Sequence, residues 1–205
     1  MREIGRLVLV LVVICSVSAG ALAWVRDALA LRIEQQSDFY VRGPALERLF
    51  GRPAAQLLNN KVMVDMGGVS YPVFFTRENG EVSGLAVEAP GHGGYAGDIV
   101  IMIGLDRARN QMLGVEIVSH GETPGVGAQV EKEAFRQQWQ GLSANEATAL
   151  RGEGGAIDAI TGATFSSRAM VDGTNQVTAL IKEHQEEILA LIAAIPDQAG
   201  PEVLP

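Results

Sequence analysis

The sequence predicts an α+β fold: one N-terminal transmembrane helix, then a single domain with a mainly antiparallel sheet and a long C-terminal helix. Three observations carry this expectation. Residues 7–25 hold no charge. Residues 61–119 are β-rich runs broken by short polar turns, and beyond residue 166 the apolar positions recur at helical spacing. Hairpins first and helices afterwards, without βαβ alternation, favour an antiparallel sheet.

The uncharged run (LVLVLVVICSVSAGALAWV) would make roughly 28 Å of helix at about 1.5 Å per residue, close to the hydrocarbon thickness of a bilayer. Arg2 and Arg6 outweigh Glu3 before it, so the positive-inside rule puts the N-terminus in the cytoplasm. Trp24 stands at the far end, where an indole favours the membrane interface. Ala21-Leu22-Ala23 also reads as a signal-peptide cleavage site. The run is long for a signal core and residues 25–36 continue as helix, so the reading adopted is an uncleaved anchor. Residues 1–32 then form the cytoplasmic tail and transmembrane helix. Residues 33–205 form a periplasmic domain on the outer side of a bacterial inner membrane.

The elements follow in order. Residues 26–60 read as interrupted helix, punctuated by Gly43-Pro44 and Gly51-Arg52-Pro53. Residues 61–66 alternate as a strand. Residues 70–76 and 82–88 flank Asn79-Gly80, a strong hairpin signal, and Pro72 suggests an edge on the first of those strands. Residues 98–105 and 112–119 flank the polar turn 106–111 as a second hairpin. Residues 128–140 read as a helix with Val130, Ala134, Phe135 and Gln138 on one side. Residues 158–164 form a short loop, and residues 166–195 a long helix ended by Pro196, with a frayed tail. Met63, Met66, Met102, Met112 and Met170 read as core fillers.

Composition narrows the function classes. The net charge is −8, and the first 25 residues contribute one positive charge, leaving −9 for the remainder. Such a balance argues against nucleic acid as a partner. A single cysteine excludes a disulfide scaffold and a Cys-rich metal site. A mean hydropathy of +0.16 is high for an acidic domain and is explained by the N-terminal run.

The informative segment is Asp158-Ala159-Ile160-Thr161-Gly162-Ala163-Thr164, followed by Phe165-Ser166-Ser167. It is a Gly-containing loop feeding a helix N-terminus, a place that holds a phosphate through unpaired N–H groups and a partial positive charge. Ser166 or Ser167 is equally suited to be a plain N-cap, and on spacing alone a capped helix start is the simpler reading.

Asp-x-x-Thr-Gly-Ala-Thr resembles the flavinylation signal of the FMN-binding domain family. Two further stretches agree: Ser119-His120-Gly121-Glu122-Thr123-Pro124-Gly125-Val126-Gly127 is similar to that family's Glu-Thr-Pro-Gly-x-Gly loop, and residues 91–99 (GHGGYAGDI) to its Gly-Tyr-x-Gly-x-Ile strand opening. Within the family, the chain resembles the G subunits of the Rnf (Rsx) ion-translocating electron-transport complexes. The C subunits of the Na⁺-translocating NADH:quinone oxidoreductases are similar but longer. Gly121 departs from the usual pattern, in which a larger residue separates the His from the Glu.

The resemblance implies FMN joined through its phosphate to the hydroxyl of Thr164 by a dedicated Mg²⁺-dependent flavin transferase. Asp158, Thr161, Gly162 and Ala163 would be the recognition residues around it. It further implies an electron-transfer subunit of a membrane complex that couples electron transfer of the ferredoxin/NAD type to ion translocation, with multi-span membrane subunits as partners. A free-standing flavin reductase and a non-flavinylated structural subunit remain as alternatives. Among possible cofactor contacts, Gly125 and Gly127 either let the backbone approach the ring or give flexibility. Glu122 and Thr123 either bond the flavin edge or stabilise a turn. Tyr95 either stacks on the ring or packs, and Ser166 sits beside the attachment point. His120 with Glu122 lacks a third ligand at useful spacing, so no metal is expected.

Overall fold

The computed structural model describes residues 2–195, and the tail expected beyond Pro196 lies outside them. Chain contacts divide the molecule after Tyr40. The first unit is helix α1 (Arg2–Ser37), unbroken by any proline. Its segment Glu3–Ala30 has a mean hydropathy of 2.6, is long and apolar enough to cross a membrane, and buries none of its residues within the protein. A single π-helical turn, Asp38–Arg42, follows α1.

In the second unit, α2 (Gly43–Phe50) and α3 (Ala54–Leu58) precede a five-stranded sheet. The strands are β1 (Lys61–Met66), β2 (Val69–Glu78), β3 (Glu81–Gly94), β4 (Gly97–Asp106) and β5 (Gln111–Ser119). They pair antiparallel in sequence order, as a meander. Asn79 and Gly80 both take positive φ, 55° and 82°, the backbone that a two-residue hairpin turn requires and that their side chains tolerate. Pro72 does not mark a sheet edge. β2 is internal, but its pairing with β3 begins at Val73, so the proline falls just outside the stretch where a second ladder needs an N–H. A hairpin that the sequence did not announce joins β3 to β4, with Gly94 opposite Gly97 and Tyr95-Ala96 between them.

Both faces of the sheet are covered. Leu85, Val87, Ala89, Ile99, Ile101 and Ile103 alternate onto the main core, shared with helices α5 (Thr164–Glu183) and α6 (Gln185–Ala193). Phe74, Ala86 and Met102 alternate onto the opposite face, against Ala45, Leu46 and Leu49 of α2 and Leu57 of α3. On this second face Glu88, Met102 and Glu116 stand in register across β3, β4 and β5. Arg42 bonds Glu88, and Arg48 and Arg136 both bond Glu116, so each carboxylate under α2 has an arginine partner. Four of the five methionines read as core fillers are buried. Met63 is 53% exposed on the outer side of β1.

Two helices differ from expectation. Residues 128–140 are not one helix: a 3₁₀ turn (Gly127–Glu131), the short α4 (Glu133–Arg136) and a second 3₁₀ turn (Gln137–Trp139) replace it. Lys132 takes an extended backbone (ψ 133°) and breaks the run. The inward residues are Val130, Phe135 and Trp139, with Phe135 and Trp139 ring to edge at 5.3 Å, and Ala134 is exposed. The C-terminal helix begins at Thr164, and His184 (φ −100°, ψ 17°) separates α5 from α6. The buried stripe passes through the break, with Ile181 on one side and Ile188 and Ile192 on the other, which is why the periodicity alone reads as one helix.

α5 crosses β3 at near backbone contact. A Cβ on Gly91 would meet the Ala169 carbonyl, and a Cβ on Gly173 would lie 2.7 Å from the Gly91 Cα. This approach fixes the height of α5 over the sheet and hence the position of its first turn. Gly173→Val should therefore lower unfolding stability by about 1–3 kcal/mol, from overpacking against immovable backbone. Urea denaturation followed by circular dichroism checks this; an unchanged midpoint would show that α5 can lift without cost.

Candidate cofactor-binding site

Three chain segments meet where α5 begins: the β3–β4 turn, the loop after β5, and residues 158–167. Gly162 (φ 81°) turns the chain in the left-handed region that its lack of Cβ permits, and Ala163 then leads into Thr164, the first helical residue. Neither serine is an N-cap, and no side chain caps this helix. The Ser167 hydroxyl instead accepts from the Ile160 N–H (2.9 Å) and donates to the Ala163 carbonyl (3.0 Å), holding the loop from inside. The Ser166 hydroxyl donates to Glu122 Oε2 at 2.8 Å. With both serines turned inward, Thr164 is exposed, and its hydroxyl makes no hydrogen bond among the described residues.

Glu122 ties the three segments together. Its carboxylate is buried, with 5% of the residue exposed. Oε2 accepts from Ser166 on α5, and Oε1 accepts from the Ala96 N–H of the β3–β4 turn at 3.2 Å. Two glycines make the space: a Cβ on Gly127 would overlap Oε2, and one on Gly94 would come within 2.7 Å of Oε1. The charge sits near the positive end of the α5 dipole, which favours it.

A pocket of about 350 Å³ opens beside this tie. Tyr95 lines it from the hairpin turn; Glu122, Thr123, Val126 and Gly127 from the loop; and Gly162, Ala163, Phe165 and Ser166 from the start of α5. Tyr95, Phe165 and Val126 are 76%, 61% and 45% exposed, so three apolar groups stand open around one cavity. The uncapped first turn offers N–H groups to a phosphate, and the exposed apolar groups offer surface to an aromatic ring. The residues present thus fit a phosphate-bearing aromatic cofactor.

Of the residues expected at the site, Tyr95, Glu122, Thr123, Gly127, Gly162, Ala163 and Ser166 line this pocket, and Thr164 lies between two lining residues. Tyr95 is not packed, and Gly127 makes room for the Glu122 carboxylate. Gly125 (φ 77°) serves a turn in which the Thr123 carbonyl accepts from the Val126 and Ala128 N–H groups. His120 points away: its Nδ1 accepts from the Glu122 N–H at 3.0 Å, which leaves the proton on Nε2 for Glu131 at 2.9 Å. Thr161 is exposed and outside the lining. Asp158 is also outside it. Arg151 grips its carboxylate through Nε (2.5 Å) and Nη2 (3.0 Å), while its backbone exchanges two hydrogen bonds with the Gln138 amide. The Arg151 hydrogen bond and charge hold the Asp158 carboxyl below its ordinary value.

Sequence reasoning missed Phe165, Val126 and Arg151. Phe165 had a readable signal, since it falls off the buried stripe of α5.

Comparisons with known proteins show what the chain is similar to. Residues 94–179 match the FMN-binding domain family model. The chain is 36% identical over 128 residues to the G subunit of the ion-translocating oxidoreductase complex from Aliivibrio fischeri, with 60% of each chain covered. It is 35% identical over 129 residues to the protein of the same name from Shewanella piezotolerans, again with 60% of each covered. The match thus spans about three-fifths of the length of these relatives. In fold it is similar to the C subunit of the Na⁺-translocating NADH-quinone reductase from Parabacteroides distasonis (TM-score 0.53, 18% identity, 82% of this chain and 98% of that one). It is similar also to NqrC from Shewanella oneidensis (TM-score 0.50, 23% identity, 59% of this chain and 62% of that one). The resemblance that the three motifs carry, to the FMN-binding domain and to the G subunits of these complexes, is borne out.

Removing the Glu122 carboxylate strands the Ser166 hydroxyl and the Ala96 N–H together. Glu122→Ala should cost about 2–4 kcal/mol, and Ser166→Ala about 1–3 kcal/mol, measured by chemical denaturation. A loss below that of a surface substitution would refute the tie.

The Asp158 carboxyl, followed by NMR, should titrate below the ordinary aspartate value of 3.8, and Arg151→Gln should return it upward. Because the folded value is the lower one, the pair stabilises the loop above the unfolded value and that contribution fades as pH falls through the folded value. A titration unmoved by Arg151→Gln would contradict the ion pair.

Proposed function

We propose that this chain is a membrane-anchored electron-transfer subunit of an ion-translocating oxidoreductase complex, carrying FMN esterified through its phosphate to Thr164. The observation that supports it most is the unbonded Thr164 hydroxyl on the uncapped first turn of α5, beside the open pocket. The FMN-binding domain match and the similarity to the G subunit of such complexes point the same way.

The chain's own residues have definite tasks in this reading. The Thr164 hydroxyl would carry the FMN phosphate as an ester, its proton and the activating group on the phosphate leaving as the P–O bond forms. A separate, Mg²⁺-dependent flavin transferase promotes that step. The first-turn N–H groups of α5 then face the phosphodiester. Tyr95, Val126 and Phe165 give the ring apolar surface, while Glu122 keeps the three walls of the pocket together. The flavin, when bound, supplies the redox chemistry; the protein supplies position and electrostatics. A covalent link also suits a cofactor outside the cytoplasm, where loss from an acidic domain would not be made good.

Helix α1 is read as a single-pass anchor in a bacterial inner membrane, its N-terminus cytoplasmic and the domain periplasmic. One helix lines no ion path alone, so multi-span subunits of an Rnf-type complex are the proposed partners, with ferredoxin/NAD-type electron transfer driving the ion.

Co-production with a flavin transferase should give a chain that fluoresces in a denaturing gel, and Thr164→Val should abolish the fluorescence. The intact mass should rise by one FMN less water and report whether α1 is retained. Fluorescence that persists in Thr164→Val, or its absence from the wild-type chain, overturns the proposal.

A further inference from the structure

Thr164 and Arg168 are four residues apart on α5 and both are exposed, which makes them neighbours on one helix face. Helical side chains lean toward the N-terminus, so a long side chain at position 168 can reach back over the turn that carries Thr164. Its guanidinium is only partly committed. Nη2 donates to Glu153, and Nε and Nη1 make no hydrogen bond among the described residues. The neighbouring cation, Arg151, is engaged bidentately by Asp158. Besides Glu153, the acidic group acting on Arg168 is Asp172, one turn farther along α5.

We propose that Arg168 is the counter-ion of the phosphodiester formed on Thr164, held in reach by Glu153 until the cofactor is attached. This rests on the ester to Thr164 proposed above. The helix N-terminus supplies N–H groups but only a partial charge. The domain is strongly acidic, so an added phosphodiester anion needs a full positive charge nearby. Arg168 keeps N–H donors at Nε and Nη1, each able to bond a phosphate oxygen singly while Nη2 serves Glu153. Glu153 orients the guanidinium beforehand, which reduces the side-chain entropy lost when the phosphate arrives.

The full-length chain in detergent, labelled with [¹⁵N]arginine and prepared with and without co-produced flavin transferase, tests this. The Arg168 Nε–H resonance, assigned by its loss in Arg168→Lys, should shift on loading and exchange with water several-fold more slowly. The rise in Tm that loading gives the wild-type chain should fall by about half in Arg168→Gln. Arg109→Gln, at the opposite end of β4, should keep the full rise. An Arg168 resonance unmoved by loading, or an undiminished rise in Arg168→Gln, overturns the proposal. If Arg168→Gln takes up no flavin, the wild-type resonance decides alone. A wild-type chain without flavin, or flavin retained by Thr164→Val, fails earlier and in a different assay, and removes the underlying ester along with this proposal.

Discussion

One buried carboxylate organises the site end of this domain. An ion out of water costs on the order of several kcal/mol unless it is fully hydrogen-bonded. Glu122 meets that condition only while the β3–β4 turn and the first turn of α5 are both in place, because each supplies one donor. The cost of an unpaired charge therefore acts as a geometric constraint on two backbones at once. Gly127 is a consequence of it, since a Cβ there would overlap the carboxylate, and Gly94 is required both by the carboxylate and by the Gly97 carbonyl across the hairpin.

The other half of the placement comes from close packing. Gly91 and Gly173 let α5 rest almost directly on β3, and the stripe through Ala169, Val177 and Ile181 seals the contact. A helix set this low brings its N-terminal turn level with the end of the hairpin. The charged residues on the loop side are largely matched in pairs, Arg151 with Asp158 and Arg168 with Glu153. An acidic domain thus presents a locally balanced surface around Thr164.

Much of this is legible in the sequence. The strand from Lys61 to Met66, the Asn79-Gly80 turn and the polar turn before Gln111 follow from period-two alternation and turn chemistry, both of which are local. The motif loop before Thr164 is legible too, because it resembles a family signature. What stays hidden depends on tertiary contacts. The breaks at Lys132 and His184 fall inside runs whose apolar spacing is uninterrupted. The inward turn of Ser166 needs Glu122, 44 positions away, and no local rule prefers that bond to an N-cap. Asp158 reads as a recognition residue in the motif, yet its side chain is taken up by Arg151, which lies upstream of the motif. Tyr95 reads as readily as a packing residue, because the hairpin that exposes it is not apparent in the sequence.

The register of the sheet has one more implication. β3 pairs with β2 only as far as Val87, and β4 pairs with β5 only from Val100 onward. The last turn of the β3–β4 hairpin, which carries Tyr95 and Ala96, is therefore a two-stranded extension of a five-stranded body. Such a ribbon has its own opening equilibrium, governed by a few ladder bonds and the Glu122 contacts and not by the cooperative melting of the core. The wall of the cavity can part and reclose while the sheet stays folded. A domain built this way can widen the cavity beside Thr164 and narrow it again without melting its core.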